Sequence, residues 1–229
     1  MRRHWFSILI LSTGLWVMLP WLAPLFMHSG WQKAAKAICF LYSFQCHQLP
    51  QRSFFLFGAR SSYSLKLIRG IWNSSYEPMV LRQFIGDATL GYKVAWSDRM
   101  VSAYTSIPLT ALLWWPFRKR RRPLPPWVFI LSLLPMAIDG GTHLISDLAG
   151  IGQGFRHTNE WLAEMTNHTM PPTFYVGDAI GSFNACMRLV TGILFGIGVG
   201  LYAFPMLYSG LEDTTATIQA KYKPARVDL

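Results

Sequence analysis

The stretch CHQLPQRS, Cys46 to Ser53, crowds a thiol, an imidazole, an amide, a guanidinium and a hydroxyl into eight residues. Cys46 and His47 have the ligand types of a metal site, Cys46 those of thiol chemistry, and His47 can move protons near neutral pH. Arg52 can hold a carboxylate or phosphate through paired hydrogen bonds, while Gln48 and Ser53 supply neutral donors and acceptors. The bland alternative is a loop-to-helix junction whose polar groups satisfy one another and the backbone. Further along, Asp139, His143 and Asp147 fall at i, i+4 and i+8, so a helix would place all three on one face. Arg99 and Arg188 each stand near the start of an apolar run. Buried charge is costly unless paired, so these five residues form either an Arg–Asp clip between helices or a polar pocket. His157, Glu160, Glu164 and His168, at spacings of 3, 4 and 4, would also share a helical face. They make a weaker candidate for a divalent metal, because a solvated helix has the same pattern.

The elements that must position these groups are apolar. The 229 residues are 52% hydrophobic and 14% charged, against about 25% charged in a soluble domain, which places the chain in the membrane class. Trp5 to Met27 carries no charged residue and exceeds the roughly 20 apolar residues a spanning helix needs. It is too long for the apolar core of a cleaved signal, and Pro20 and Pro24 would kink its far end. A second apolar run ends in Trp114-Trp115-Pro116, a third begins at Trp127, and a fourth carries Gly192, Gly196 and Gly200 on one face, where small residues permit close helix packing. The expected fold is an all-α polytopic membrane protein in one membrane domain. About four transmembrane helices, at 5–27, 98–117, 126–147 and 180–208, would be joined by amphipathic helices in the interface.

Orientation follows from charge. The basic run Arg118-Lys119-Arg120-Arg121-Arg122 lies between two apolar segments, which makes the 118–125 loop cytoplasmic. Arg2 and Arg3, and Lys221, Lys223 and Arg226 in the 209–229 tail, agree with N-in and C-in. Lys33 and Lys36 oppose it, but long loops weigh less in this rule. The outer segments are then 28–97 and 148–179. The net charge of +10 therefore serves membrane orientation, not nucleic acid. Within the first outer segment, Trp31, Ala34, Ala35, Ile38, Leu41 and Tyr42 share a helical face suited to the interface, and residues 60–95 read as short helices. Cys39, Cys46 and Cys186 are too few for a disulfide framework, and a Cys39–Cys46 bridge would require the helix to end between them.

Four motifs in order, CHQLPQRS (Cys46–Ser53), SDRMVSAY (Ser97–Tyr104), AIDGGTH (Ala137–His143) and MRLVTG (Met187–Gly192), resemble the signature of an uncharacterised prokaryotic family of small multi-pass membrane proteins, a domain of unknown function. The resemblance implies a multi-pass protein of a prokaryotic cytoplasmic membrane and carries no activity with it. In the family pattern two cysteines stand where this chain has Ser97 and Met100. With Cys46 and His47 those cysteines would complete a four-ligand zinc site; Ser and Met are poor zinc ligands, which argues against a closed zinc site here.

Three functions fit these residues. The first is a binding or transport protein. Its outward pocket of Cys46, His47, Gln48, Arg52, Ser53, Arg99, Asp139, His143, Asp147 and Arg188 would take an ion or small solute. Four spans are few for a transporter, so transport calls for a homo-oligomer or a larger membrane complex. The second is an integral membrane enzyme acting on a lipid-borne or periplasmic anion, with His47, His143 and Asp139 as acid–base groups and the arginines holding the anion. The third is an accessory subunit of a larger membrane complex. A partner common to all three is the lipid bilayer.

Overall fold

The computed structural model describes residues 4–119 and 122–221. Arg2, Arg3, Arg120, Arg121, Lys223 and Arg226, which enter the charge argument above, lie outside the described residues. The fold is mostly α, as expected of a membrane protein built from apolar helices. Helix α1 (Trp5–His28) leads into α2 (Gln32–Tyr42). A single 3-10 turn at Pro50–Arg52 then opens strand β1 (Ser53–Leu56). Two short helices, α3 (Leu65–Ile71) and α4 (Pro78–Leu81), precede β2 (Gly86–Asp87) and β3 (Gly91–Ser97). Strand β3 runs directly into α5 (Asp98–Trp114). Helix α6 (Pro126–Asp147) follows, then three short helices, α7 (Phe155–Thr158), α8 (Glu160–Met165) and α9 (Pro172–Tyr175), and the long α10 (Phe183–Lys221).

Among the described residues, three helices are long and apolar enough to cross a membrane: α1, α6 and the Phe183–Thr215 part of α10. Helix α5 has 17 residues with Asp98 and Arg99 in its first turn, so it is shorter and more polar. The outward faces of these helices are unlike a soluble surface. Ile8, Leu11, Leu15 and Met18 on α1, and Ile130, Leu131, Ile138 and Ile145 on α6, are exposed. Contiguous apolar area of this kind needs a non-aqueous solvent.

Helix α10 packs chiefly against α5 and also against α6. The glycine ridge explains the closeness. A Cβ at Gly196 would strike the carbonyl oxygen of Ala103 and come within 2.6 Å of Ser106 Cβ; one at Gly200 would meet Thr110 Cβ at 2.7 Å. Gly198, on another face, abuts Ser132 of α6. Helix α1 packs instead on β3 and α2, around a cluster of Val17, Ala23, Ile38, Cys39, Tyr42, Cys46, Ala95 and Trp96. Tyr42 ties α2 to α1 by donating its hydroxyl to the Trp16 carbonyl at 2.7 Å.

Two expectations for the first outer segment change. Residues 60–95 hold short helices as expected, but also β2 and most of β3, in an antiparallel sheet of order β1-β3-β2. Val94, Ala95 and Trp96 are all fully buried, so β3 is covered on both faces and lacks the alternation that marks a half-exposed strand. The apolar face of α2 is also assigned differently. Ala35, Ile38, Cys39 and Tyr42 are buried within the protein, while Trp31, Phe40, Leu41 and Phe44 are exposed. The core takes one side of α2, and an aromatic side remains outward. The helix does end between Cys39 and Cys46, yet both are free thiols.

Candidate functional site

The chain path brings the start of α5, the end of α6 and the start of α10 to the same end of the bundle, opposite the end of α5 and the start of α6. The 46–52 segment lies across that end. There a cavity of about 320 Å³ is lined by Cys46, His47, Gln48, Arg52, Arg99, His143, Asp147 and Arg188, among others. Two sequence candidates sit elsewhere. Ser53 is buried and donates its hydroxyl to the Leu49 carbonyl at 2.9 Å, closing the turn before β1. Asp139 lies behind the cavity wall, 3% exposed.

The charges of this region pair with one another. Arg52 grips Asp147 through both terminal nitrogens, at 2.7 and 2.8 Å, and reaches Asp178 with Nε at 3.0 Å. Arg188 donates to Asp98 from Nε and Nη2, and from Nη1 to Asp178 at 2.8 Å. Arg99 and Arg156 each bond one oxygen of Asp139 at 2.6 Å. Depth along the spans puts both Arg99 and Arg188 near the level of Asp139; Arg99 makes the ion pair, whereas Arg188 turns to Asp98 and Asp178. Gly140 makes room for the Arg99 guanidinium, because a Cβ there would lie 2.9 Å from Nη1.

Four arginines thus meet four aspartates drawn from five segments of the chain. Burial alone would raise the Asp178 carboxyl, but Arg52 and then Arg188 outweigh it and hold it well below the usual carboxylate range. Burial likewise works against the charge on Arg52, and Asp178 with Asp147 more than offsets it, raising its pKa. Arg156 Nη2 also lies 3.1 Å from His143 Nε2. An arginine can only donate, so Nε2 accepts, the ring proton sits on Nδ1, and His143 is neutral. Its Nδ1 is buried without a hydrogen-bond partner among the described residues.

Asp98, Arg156 and Asp178 complete this network and were not among the sequence candidates. Asp98 is the neighbour of Arg99 at the junction of β3 and α5, where a carboxylate in the first turn of a helix has an ordinary structural reading. Arg156 and Asp178 come from the 148–179 segment, whose polarity reads as solvation. A fourth group without a sequence signal is Lys93, fully buried in β3 and bonded to the carbonyls of Gln48 at 2.7 Å and Arg82 at 2.9 Å. Burial lowers its pKa to about 8, against the opposing pull of Cys39 and Cys46.

The His157, Glu160, Glu164, His168 face does not form. Asn159 adopts φ +46° between α7 and α8, and His168, at φ +54°, lies beyond the end of α8. The left-handed residue at 159 is held because its amide nitrogen donates to the carbonyls of Arg156 and Tyr175 at 2.8 and 2.7 Å. That break separates the four side chains that a continuous helix would align. Among the described residues, no three His, Cys, Asp or Glu side chains converge as a metal-binding group.

Residues 88–202, half of the chain, match a family described as predicted membrane protein, DUF2085. The chain belongs to this family. The matched segment holds Arg99, Arg156, Arg188 and the four network aspartates, while Arg52 and the Cys46–Gln48 stretch precede it. The chain is also 25% identical over 214 residues to an uncharacterized protein, MJ1492, of Methanocaldococcus jannaschii, covering 90% of this chain and 94% of that one. No solved structure matches the chain.

Proposed function

We propose that this chain is a four-span protein of a prokaryotic cytoplasmic membrane, N-in and C-in, whose outer end carries a polar pocket that binds or conducts an ion or small solute. The observation that carries this reading is the cavity of about 320 Å³, which gathers most of the sequence candidates from separate segments. The orientation rests on the basic residues of the 118–125 loop, at the end of the bundle away from the cavity. The pairing of the arginines with aspartates also favours binding over catalysis on an anion. Arg52 and Arg188 each turn their donors on two carboxylates, and His143 faces Arg156, not the open space alone. Transport would need several copies or a larger complex, since four spans make a small pathway.

A thiol probe tests whether the pocket is open. In detergent, with Cys39→Ala and Cys186→Ser introduced, a small hydrophilic thiol reagent should modify Cys46 in the folded protein. Leu148, 81% exposed and on the cavity wall, stands at the mouth, so Leu148→Trp should slow that reaction severalfold. Reaction only after unfolding, or a rate indifferent to Leu148→Trp, would remove the pocket reading.

A further inference from the structure

The cationic groups around the cavity differ in how fully they are engaged. Arg52 and Arg188 each direct Nε and both terminal nitrogens at carboxylates. Among the described residues, Arg99 bonds a carboxylate only through Nη2, 2.6 Å from Asp139 Oδ2. His143 Nε2 lies 3.9 Å from the other oxygen, Oδ1, and accepts from Arg156 at 3.1 Å. Arg99 and His143 therefore approach the two oxygens of one buried carboxylate, and both line the cavity in front of it.

Each of these two keeps a donor without an acceptor. Arg99 Nε and His143 Nδ1 are buried and make no hydrogen bond among the described residues. Both carry a proton: a guanidinium nitrogen only donates, and the His143 ring proton sits on Nδ1 because Nε2 accepts from Arg156. Buried donors are as a rule paired, so two of them in the wall of one cavity call for an acceptor. The nearby aspartates are turned to other nitrogens. Charge points the same way. With histidines counted as neutral, Arg52, Arg99, Arg156, Arg188 and Lys93 face four aspartates, and the buried Lys93 ammonium bonds the carbonyls of Gln48 and Arg82, not an acid. One positive charge is left over, and an uncompensated buried charge is costly.

We infer that the pocket binds a small organic monoanion, a monocarboxylate with a short apolar body, whose carboxylate accepts from Arg99 Nε and His143 Nδ1; this rests on the pocket reading above and names its ligand. One negative charge neutralises the excess, and a doubly charged anion would exceed it. The apolar body follows from the rest of the wall. Leu49, Met100, Leu144, Leu148 and Ile151 line the same cavity and offer nothing to a bare hydrated ion, whereas they bury a hydrocarbon chain favourably. The volume limits its length, because about 320 Å³ is at the small end of ligand sites.

The test is binding of pentanoate to the purified protein in detergent at low ionic strength, with Cys39→Ala and Cys186→Ser in place. It is followed by melting temperature and by the rate at which a small thiol reagent modifies Cys46. Pentanoate should raise the melting temperature and slow the reaction at Cys46, which lines the same cavity. Pentanamide, of similar shape without the charge, and chloride at the same concentration should do neither. His143→Phe removes one donor to the anion and should weaken binding by about tenfold or more, as loss of a hydrogen bond to a charged group does. Leu148 is 81% exposed, so substitution there spares the fold. Leu148→Glu should weaken binding severalfold by repulsion at low salt, while Leu148→Gln should not, and this pair decides the matter if His143→Phe does not fold. An equal response to pentanamide or chloride, unchanged affinity in folded His143→Phe, or equal affinity in Leu148→Glu and Leu148→Gln overturns the anion site. If pentanoate has no effect while Cys46 reacts in the folded protein, the anion site fails and the pocket stands; if Cys46 is also unreactive, both fail.

Discussion

Asp139 accepts hydrogen bonds from Arg99 and Arg156 while almost wholly buried. Breaking a buried pair by removing one partner typically costs about 3–5 kcal/mol. Asp139→Asn should lower stability by about that much in detergent unfolding, and adding Arg156→Gln should recover part of the loss. Unchanged melting in Asp139→Asn would mean that these charges are solvated and do not clip the helices. Asp178 gives a pH prediction. Its folded pKa is depressed, so its stabilising contribution is present above the unfolded value of about 3.9. That contribution is lost as pH falls from there through the lower folded value. The melting difference between wild type and Asp178→Asn should therefore shrink on acidification below about pH 4, and a difference constant with pH would contradict the pairing. At this scale the sequence told half the story. Depth along each span brings Asp139, Arg99 and Arg188 to one level, because rise per residue is fixed, but it does not choose which arginine Asp139 takes. It is silent on Arg156 and Asp178, whose positions depend on how the 148–179 segment folds back over the bundle.

The elements were legible where one physical rule dominated. Long apolar runs became α1, α6 and α10, and the glycine spacing on α10 became its contact with α5. Strand β3 was hidden because burial of both faces erases its period of two, and the face assigned to α2 was mixed because core and exterior both present apolar residues to it. The 157–168 helix failed at one residue, Asn159, whose side-chain hydrogen bonds hold a left-handed turn that spacing alone does not reveal. The α5–α10 contact is testable directly. Gly196→Ala places a methyl against the Ala103 carbonyl, which is backbone and cannot swing aside. Overpacking of this kind costs about 1–3 kcal/mol, to be measured by unfolding in detergent. Gly14→Ala on α1, where a Cβ would meet nothing within 4 Å, serves as the control and should be neutral or slightly stabilising, since alanine suits a helix better. Equal effects at both sites would contradict close packing of these two helices.

For the molecule as a whole, the arrangement is polarised along the bundle. One end holds an aromatic cluster of Phe6, Trp114 and Phe204, joined by Trp5, Trp115 and Tyr208, with Arg118 over the Trp115 ring. The other end holds the charge network, the sheet and the cavity. Aromatics at an interface with basic residues just beyond them are what the proposed cytoplasmic boundary calls for. Ion pairs near the opposite boundary can be buried in protein instead of lipid, as intramembrane charge requires. The three short helices of the 148–179 segment and the sheet of the 28–97 segment together roof that end.

The most direct measurement of this account is labelling of Cys46 in intact cells with a membrane-impermeant maleimide, with Cys39 and Cys186 replaced. Cys46 should be modified from outside without lysis, while Arg120→Cys, in a chain lacking the other three cysteines, should be protected until the membrane is opened. Modification of the 120 position from outside, with Cys46 reacting only after lysis, would invert the orientation and contradict an outward-facing pocket.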